Sequence, residues 1–303
     1  MKKLLFLGAG GVGGYFGARL IEAGVDVSFL VRPTRAALLA EHGLKVSSPH
    51  GDLALPVRCV TRDTVRPEYD LVLLAPKAYD LDDALDSIAP ALAPETFVMP
   101  FLNGLAHMDV LDARFGAHRV IGGVAHIAAT LDADGSVRQL NPIHALTAGG
   151  RNAATQRAAA EFVALCEPAK FDAALSTDIV ATLWEKWTFL ATLAGITTLM
   201  QGSIGQVMAT THGESLARRL YAECLAVAER SGYPVQQKVQ ARSLRMLTDR
   251  DSSLTASMLR DLQAGSRTEH DHVLGDLVRR AQLQGVDTPL LAAAYCHLQR
   301  VGS

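Results

Sequence analysis

Residues 4–24, LLFLGAGGVGGYFGARLIEAG, predict the architecture of the first half of the chain. The apolar run from Leu4 is typical of a buried β-strand, and Gly8 ends it. The stretch Val12 to Ala23 has helical spacing and stops at a glycine. The turn between strand and helix, Gly8-Ala9-Gly10-Gly11-Val12-Gly13, matches GxGxxG in the structural setting that gives this motif its meaning.

Each glycine of this motif has a distinct physical use. Gly8 permits a tight turn, Gly10 lets the backbone approach a pyrophosphate, and Gly13 lets the helix pack closely on the strand. The helix N-terminus adds free N–H groups and the positive end of the helix dipole. The motif therefore predicts a dinucleotide site on residues 8–13, and a glycine turn without a ligand is the alternative.

The second strand, Val27 to Val31, indicates which dinucleotide binds. A site for NAD usually carries a carboxylate at the end of this strand, where it binds the ribose 2′-hydroxyl. Here Arg32 ends the strand and Arg35 follows closely. A guanidinium suits a 2′-phosphate, so Arg32 predicts NADPH rather than NAD. The alternative is that Arg32 is a solvated loop charge.

The first half continues as an alternation of short apolar runs and helical patterns. This alternation predicts parallel βαβ units in a doubly wound, Rossmann-type α/β sheet. A turn is expected at Asp134-Gly135, between the last two strands. The expected strands are Leu4–Gly8, Val27–Val31, Leu71–Ala75, Thr96–Phe101, Val120–Ala125 and Ala145–Ala148, and the expected helices include Val12–Ala23, Ala36–Glu41, Leu81–Leu92 and Ala153–Ala160.

The second half shows helical spacing almost throughout, which predicts an all-α domain. We place the boundary near Ser176, so residues 1–175 form the NADP-binding domain and residues 176–303 a helical domain for substrate binding and dimerisation. The expected helices are Thr182–Met200, Leu216–Ser231, Val235–Leu247, His270–Gln284 and Leu290–Arg300.

Composition limits the class of protein. The 303 residues are 49% hydrophobic and 20% charged, with a net charge of −2, which gives no whole-chain reason to expect nucleic acid or an anionic membrane as partner. The N-terminal MKKLLFL segment is better explained as a strand than as a signal peptide. We therefore expect a cytoplasmic protein, and we expect its four cysteines to be buried, reduced thiols.

Several side chains lie at positions where a catalytic or ligand-binding residue is expected. Lys77 and Asn103 follow predicted strands, at the edge of a parallel sheet that faces a ligand, although a loop charge and a turn asparagine explain them equally well. Lys186 lies in an apolar helix. Either burial lowers its pKa and suits it to general-acid catalysis, or its side chain extends to solvent. Ser257 and Glu269 are either ligands or helix-capping groups.

In combination, these motifs show that the chain resembles the ketopantoate reductase (2-dehydropantoate 2-reductase) family from end to end. The resemblance is specific because the order and spacing of several motifs agree. The residues that carry it are the glycine motif at 8–13, Arg32, Pro76-Lys77-Ala78, Asn103-Gly104, Leu183-Trp184-Glu185-Lys186, Ser257-Met258-Leu259-Arg260-Asp261 and Arg267-Thr268-Glu269.

The resemblance implies an activity, namely NADPH-dependent reduction of ketopantoate to pantoate in pantothenate and coenzyme A biosynthesis. It implies that Lys186 is the general acid, that Glu269 holds the substrate hydroxyl and the cofactor ribose, and that Ser257 binds the substrate carboxylate. It implies that Asn103 touches cofactor and substrate, that Arg32 and Lys77 contact NADPH, and that the backbone near Ala128 does so too. A homodimer is a further expectation.

One departure from the family pattern concerns the substrate. Family enzymes carry asparagines four and eight residues after the lysine, where this chain has Leu190 and Ala194. The alternatives are therefore reduction of a less polar 2-oxo acid or an imine, or a catalytically silent NADPH-binding regulator. His270-Asp271-His272 does not predict a metal site, because residues two apart on a helix do not share a face. His126 lines the cofactor crevice or packs in the core.

Overall fold

The computed structural model describes residues 1–302, which form two compact units. The first unit comprises Met1–Leu102 and His107–Ile179. The second unit comprises Asn103–Ala106 and the chain from Val180 onward. Residue 176, where the sequence predicts the boundary, lies in the first unit.

The first unit contains all the strands and five of the named helices. Its strands are β1 (Lys3–Leu7), β2 (Asp26–Leu30), β3 (Leu44–Ser47), β4 (Leu53–Leu55), β5 (Arg58–Val60), β6 (Leu71–Leu74), β7 (Phe97–Pro100), β8 (Gly122–Leu131), β9 (Val137–Gly149) and β10 (Asp172–Leu175). Its helices are α1 (Gly11–Glu22), α2 (Pro33–His42), α3 (Leu81–Ile88), α4 (Ala106–Phe115) and α5 (Ala153–Cys166).

A parallel sheet in the order β5-β2-β1-β6-β7 forms the centre of this unit. Leu7, at the end of β1, pairs with Leu30 on one side and Leu74 on the other, so the three strands end at the same edge. The four residues of β6 are fully buried, as expected for a strand covered on both faces. The predicted Rossmann-type sheet is confirmed.

A second sheet differs from the prediction. The strand expected at 120–125 joins the parallel sheet only through a bridge between Val120 and Val98 of β7, and from Gly122 onward β8 forms a long antiparallel hairpin with β9, which contains the strand expected at 145–148. Only a short turn joins them, with Gly135 at φ 82°, and a connection this short permits antiparallel pairing alone. The hairpin extends a sheet ordered β10-β9-β3-β4, whose shorter strands the apolar pattern did not reveal.

The second unit is helical, as predicted. Its helices are α6 (Ile179–Met200), α7 (Ile204–Met208), α8 (Gly213–Arg230), α9 (Gln237–Leu247), α10 (Ser257–Gln263), α11 (Asp276–Gln284) and α12 (Pro289–Val301). A π-helical turn over Asp271–Gly275 precedes α11, where the sequence suggested an unbroken α-helix from His270. The short helices α7 and α10 were not predicted, because each is too brief to show a period.

Two expectations about composition can be compared with the described residues. Cys166 and Cys224 are buried, and burial raises the pKa of each thiol to about 12. Cys296 is exposed and Cys59 is partly exposed, so the expectation of four buried thiols was wrong. Within residues 1–302, no helix combines the length and the apolarity that crossing a bilayer requires.

Candidate functional site

The glycine turn of the first unit has the geometry that the motif predicts. Gly8 has φ 86°, a conformation that residues with a Cβ atom rarely adopt, and its N–H donates to the carbonyl of Leu30 at 2.9 Å. A Cβ atom on Gly13 would lie 2.6 Å from the carbonyl oxygen of Gly8. Helix α1 therefore packs against the turn at a distance that only glycine allows.

The start of α1 leaves room for an anion. Gly10 is the N-cap residue, no side chain caps this helix end, and no acidic residue lies in its first turn. A Cβ atom on Gly10 would meet no atom within 4 Å. The backbone N–H groups of a helix N-terminus and an open approach fit the pyrophosphate of a dinucleotide, so the residues present fit such a cofactor.

The two arginines that follow β2 have different roles. Arg35 donates through Nη2 to the carbonyls of Ala9 at 3.0 Å and Gly135 at 2.8 Å, so it ties the glycine turn to the β8–β9 turn. The side chain of Arg32 is 83% exposed, and its ion pair with Asp83 is long, at 3.9 Å. An exposed pair of this kind contributes little, so Arg32 is available to bind an anion.

Lys77 and Ala128 also lie in the first unit. Lys77 follows β6 and is the N-cap of a 3₁₀ turn at Ala78–Asp80, so it sits at the same sheet edge as the glycine turn. Ala128 lies in β8 where its register with β9 shifts. The next residue, Ala129, has its carbonyl oxygen 2.8 Å from a Cβ atom built on Gly11, which brings this strand against the glycine turn.

The second unit contains a small recess lined by eight residues. Its wall contains three of the predicted site residues, Asn103, Ser257 and Glu269, which come from segments far apart in the chain. The remaining lining residues are apolar. They are Leu190, Ala194, Ala256, Met258 and Val273.

Asn103 reaches this recess through a tight contact with the π-helical turn. Gly104 has φ 77°, and a Cβ atom there would lie 3.0 Å from the carbonyl oxygen of His272. The backbone of Asn103 is hydrogen-bonded to the His272 side chain. Burial lowers the pKa of His272, while the charges of Glu269 and Asp276 act in the opposite direction.

Lys186 lies on α6, one helical turn before Leu190 and two before Ala194. It is partly buried, and burial lowers its pKa from 10.5 to about 8, against the opposing effect of the Glu269 carboxylate. Among the described residues, the lining of the recess does not include Lys186 itself. Its electrostatic coupling to Glu269, which does line the recess, connects the amine to this site.

Ser257 and Glu269 are held by short, local structure. Ser257 is the first residue of α10 and is partly buried. Glu269 is 9% exposed, and its carbonyl oxygen accepts from the N–H groups of His272 at 3.1 Å and Val273 at 3.0 Å. His270 and His272 have different partners, because His270 bonds the hydroxyl of Thr268 at 2.8 Å.

This arrangement suits proton transfer to a carbonyl group. An ammonium with a pKa of about 8 is mostly protonated at neutral pH yet acidic enough to donate, which is the condition for an efficient general acid. A serine hydroxyl and an asparagine amide add hydrogen-bonding groups at one small cavity.

Several residues of the site escaped the sequence analysis. Ala256, Met258 and Val273 line the recess. Arg35 is hydrogen-bonded to the glycine turn at Ala9. Ala256 and Met258 flank Ser257, so adjacency was a usable signal for these two. The role of Arg35 depends on Gly135, and nothing in the local pattern of either residue indicates that they meet.

The chain matches two models of one protein family. The model described as "Ketopantoate reductase PanE/ApbA" matches residues 4–152, and the model described as "Ketopantoate reductase PanE/ApbA C terminal" matches residues 178–301. The chain belongs to the ketopantoate reductase family of oxidoreductases. The resemblance stated from the motifs is confirmed.

Two relatives illustrate the range of names in this family. "Uncharacterized oxidoreductase YkpB" of Bacillus subtilis (strain 168) is 34% identical over 297 residues, which cover 98% of this chain and 98% of the relative. A "2-dehydropantoate 2-reductase" of Mesorhizobium japonicum is 27% identical over 323 residues, which cover 99% of this chain and 97% of the relative.

Solved structures show the same fold over the full length. D-mandelate dehydrogenase in a ternary structure with NADH and anilino(oxo)acetate has a TM-score of 0.89 at 21% identity, covering 99% of this chain and 98% of its own. A PanE/ApbA family ketopantoate reductase from Ralstonia eutropha JMP134 has a TM-score of 0.89 at 25% identity, with the same coverage.

Proposed function

We propose that this protein reduces a 2-oxo acid to the 2-hydroxy acid with NADPH, and that Lys186 is the general acid. The observation that carries the proposal is the lysine on α6 whose pKa is lowered to about 8, coupled to a carboxylate that lines a small recess. Membership of an oxidoreductase family and the glycine turn with its open helix N-terminus support the same activity.

NADPH is the proposed cofactor because of Arg32. This arginine follows β2 by two residues, in the region where a carboxylate would favour NAD, and it is exposed and only weakly paired. Residues 8–13 hold the pyrophosphate, and Lys77 and the backbone at Ala128 are proposed as further contacts. Glu269 and Asn103 complete the proposed set, as residues that bind both cofactor and substrate.

The chemistry divides between cofactor and protein. Bound NADPH supplies a hydride to the carbonyl carbon of the substrate. As charge develops on the carbonyl oxygen, the Lys186 ammonium stabilises it and gives it a proton, and the neutral amine is reprotonated from solvent. Ser257 and Asn103 bind the substrate carboxylate and orient the carbonyl, and Glu269 accepts a hydrogen bond from the product hydroxyl.

Ketopantoate is the first substrate to consider, because the relative from Mesorhizobium japonicum and the family models carry that name. The product would then be pantoate, in the cytoplasmic route to pantothenate and coenzyme A. A less polar 2-oxo acid is the second candidate. Leu190 and Ala194 favour it, because both line the recess on the α6 face that begins with Lys186.

A substrate panel tests the proposal. NADPH oxidation is followed by absorbance with ketopantoate, pyruvate, 2-oxoisovalerate, 2-oxoisocaproate and phenylglyoxylate as substrates, and with cyclic imines as a separate arm. Lys186→Ala is expected to lose about 100-fold or more in kcat while NADPH still binds. Tight NADPH binding without turnover of any acid or imine would instead support a regulator.

A reciprocal substitution tests the choice of substrate. Leu190→Asn with Ala194→Asn places two amides on the recess wall, and ketopantoate carries a hydroxyl that such groups can bind. If a less polar acid is the substrate, the double variant gains on ketopantoate and loses on 2-oxoisocaproate. Efficient ketopantoate turnover by the wild type would reject the second candidate.

Homodimerisation stays a prediction, which light scattering of the purified protein tests.

A further inference from the structure

The π-helical turn Asp271–Gly275 is the structural feature that links the general acid to its carboxylate. A π-helical turn widens the helix by one residue, and such turns are frequent at functional sites. This turn begins two residues after Glu269, and one of its residues, Val273, lines the recess. Contacts that fix the position of this turn therefore also fix Glu269 and Val273, which both line the recess.

Trp187 bonds to this turn at Val273. Its indole Nε1–H donates to the carbonyl oxygen of Val273 at 2.8 Å, and the bond is buried. The N–H of Val273 in turn donates to the carbonyl oxygen of Glu269 at 3.0 Å. Since Trp187 follows Lys186 in the chain, two hydrogen bonds through Val273 join the backbone of the acid to the backbone of Glu269.

The ring of Trp187 is itself held in place. It is fully buried, and the guanidinium of Arg280 lies 5.5 Å from its centroid. Arg280 is oriented by Asp276, which accepts from its Nε at 3.0 Å and directly follows the π-helical turn. The Trp187 ring contacts Arg280 on its face and bonds Val273 at its edge, so it cannot move together with Val273 if the turn shifts. The indole N–H therefore determines the position of the turn.

We propose that Trp187 is a positioning residue, whose indole N–H fixes the π-helical turn through Val273 and thereby sets Glu269 relative to Lys186. The proposal rests on the proposed function, because it assigns a role within the same site. Loss of this one hydrogen bond releases the turn, and Glu269 then moves away from the amine that it stabilises as an ammonium.

The expected signature is a change in protonation as well as in rate. Burial favours the neutral amine and Glu269 opposes that effect, so a displaced Glu269 lowers the pKa of Lys186. The titratable residues of this turn are Asp271 and His272, and the carboxylates of Glu269 and of Asp276, which follows the turn, both act on His272. Burial lowers the pKa of His272, so its titration lies on the acidic side, away from that of Lys186.

Trp187→Phe is the test variant, since it keeps an aromatic ring and removes the N–H. We expect kcat to fall about tenfold to 100-fold, because small misplacements of reacting groups have effects of this size. KM for the 2-oxo acid is expected to change less than kcat, because only Glu269 and Val273 shift and the other lining residues keep their places. The basic limb of the pH profile of kcat is expected to move to lower pH.

Trp184→Phe is the matched control. Trp184 is also buried, lies 5.9 Å from Arg280 and packs on the Trp187 ring with the centroids 4.8 Å apart, but within residues 1–302 it donates no hydrogen bond to the turn, and phenylalanine keeps an aromatic ring in this contact. We expect this variant to keep the wild-type kcat and pH profile. Should Trp187→Phe fold poorly, replacing the indole with benzothiophene at position 187 keeps the bicyclic ring and removes only the N–H.

A readout independent of turnover separates the two proposals. NMR of the protein with ¹³Cε-labelled lysine follows the titration of Lys186, and the resonance is assigned by its absence in Lys186→Ala. A lower Lys186 pKa in Trp187→Phe, with no change in Trp184→Phe, supports the positioning role even if no tested acid is reduced. An unchanged Lys186 titration in a folded Trp187→Phe protein overturns it, whatever the activity of the wild type.

Discussion

Glu269→Gln changes one charge beside Lys186 and keeps the shape of the side chain. The pKa of Lys186 is lowered from 10.5 to about 8 by burial, and the Glu269 carboxylate is the group that opposes this shift. A general acid must be protonated to donate, so kcat is level below the pKa of the acid and falls tenfold for each pH unit above it. The basic limb of the wild-type pH profile of kcat is therefore expected at pH about 8.

The magnitude follows from this value. At pH about 9 the wild type should retain about one tenth of its plateau kcat, whereas a lysine with the ordinary pKa of 10.5 would retain nearly all of it. Without the carboxylate, burial acts unopposed and the pKa of Lys186 falls further. The limb of Glu269→Gln should then lie at lower pH, so that at pH about 8 the variant retains less than half of its plateau.

The assay is the pH dependence of kcat for NADPH oxidation with the best acid of the panel. Deuterium at the transferred position of NADPH shows at each pH whether hydride transfer limits the rate, so that a limb from product release is recognised. A basic limb near pH 10 in the wild-type profile would refute the assignment of Lys186 as a general acid whose pKa is lowered by burial. An identical limb in both proteins would refute the electrostatic role of Glu269.

Three further predictions concern cofactor binding and stability. Arg32→Ala should weaken NADPH about tenfold to 150-fold and leave NADH nearly unchanged in calorimetry, since a charge-assisted contact to the 2′-phosphate contributes about 1.5–3 kcal/mol. Gly13→Ala should weaken NADPH and NADH alike and lower Tm, because the new Cβ would lie 2.6 Å from the backbone oxygen of Gly8. Because the folded-state pKa of Lys186 lies below its ordinary value, the unfolded chain binds more protons at this residue between pH about 8 and 10.5, and the free energy of unfolding of the wild type should rise across this window relative to that of Lys186→Met. The relative rise is up to about 3 kcal/mol in urea denaturation, and the comparison cancels the opposite effect of Cys166 and Cys224, which is the same in both proteins.

Arg35→Ala is the control for the arginine prediction. Arg35 holds the carbonyls of Ala9 and Gly135, so its loss should loosen the glycine turn and weaken both cofactors by a similar factor. If Arg32→Ala and Arg35→Ala have the same cofactor profile, then Arg32 does not distinguish NADPH from NADH.

The sequence by itself predicted the elements that depend on local periodicity. Short apolar runs indicated β1, β2, β6 and β7, and their alternation with helical patterns indicated that they lie in a parallel sheet. Helical spacing predicted α6, α8 and α12, and placed Lys186 in an apolar helix. These features are encoded within a few residues of one another, so a single chain segment is enough to reveal them.

Tertiary structure alone decided which residues meet. Asn103 follows a strand of the first unit yet belongs to the second, because Gly104 allows its loop to pack on His272. Trp187 bonds Val273 across 86 positions, and no local pattern marks either residue. The pKa of Lys186 depends equally on packing, since burial lowers it and a carboxylate from another segment opposes the shift. Such contacts arise because the whole core must be close-packed and its buried polar groups bonded, and this requirement acts on the chain as a whole.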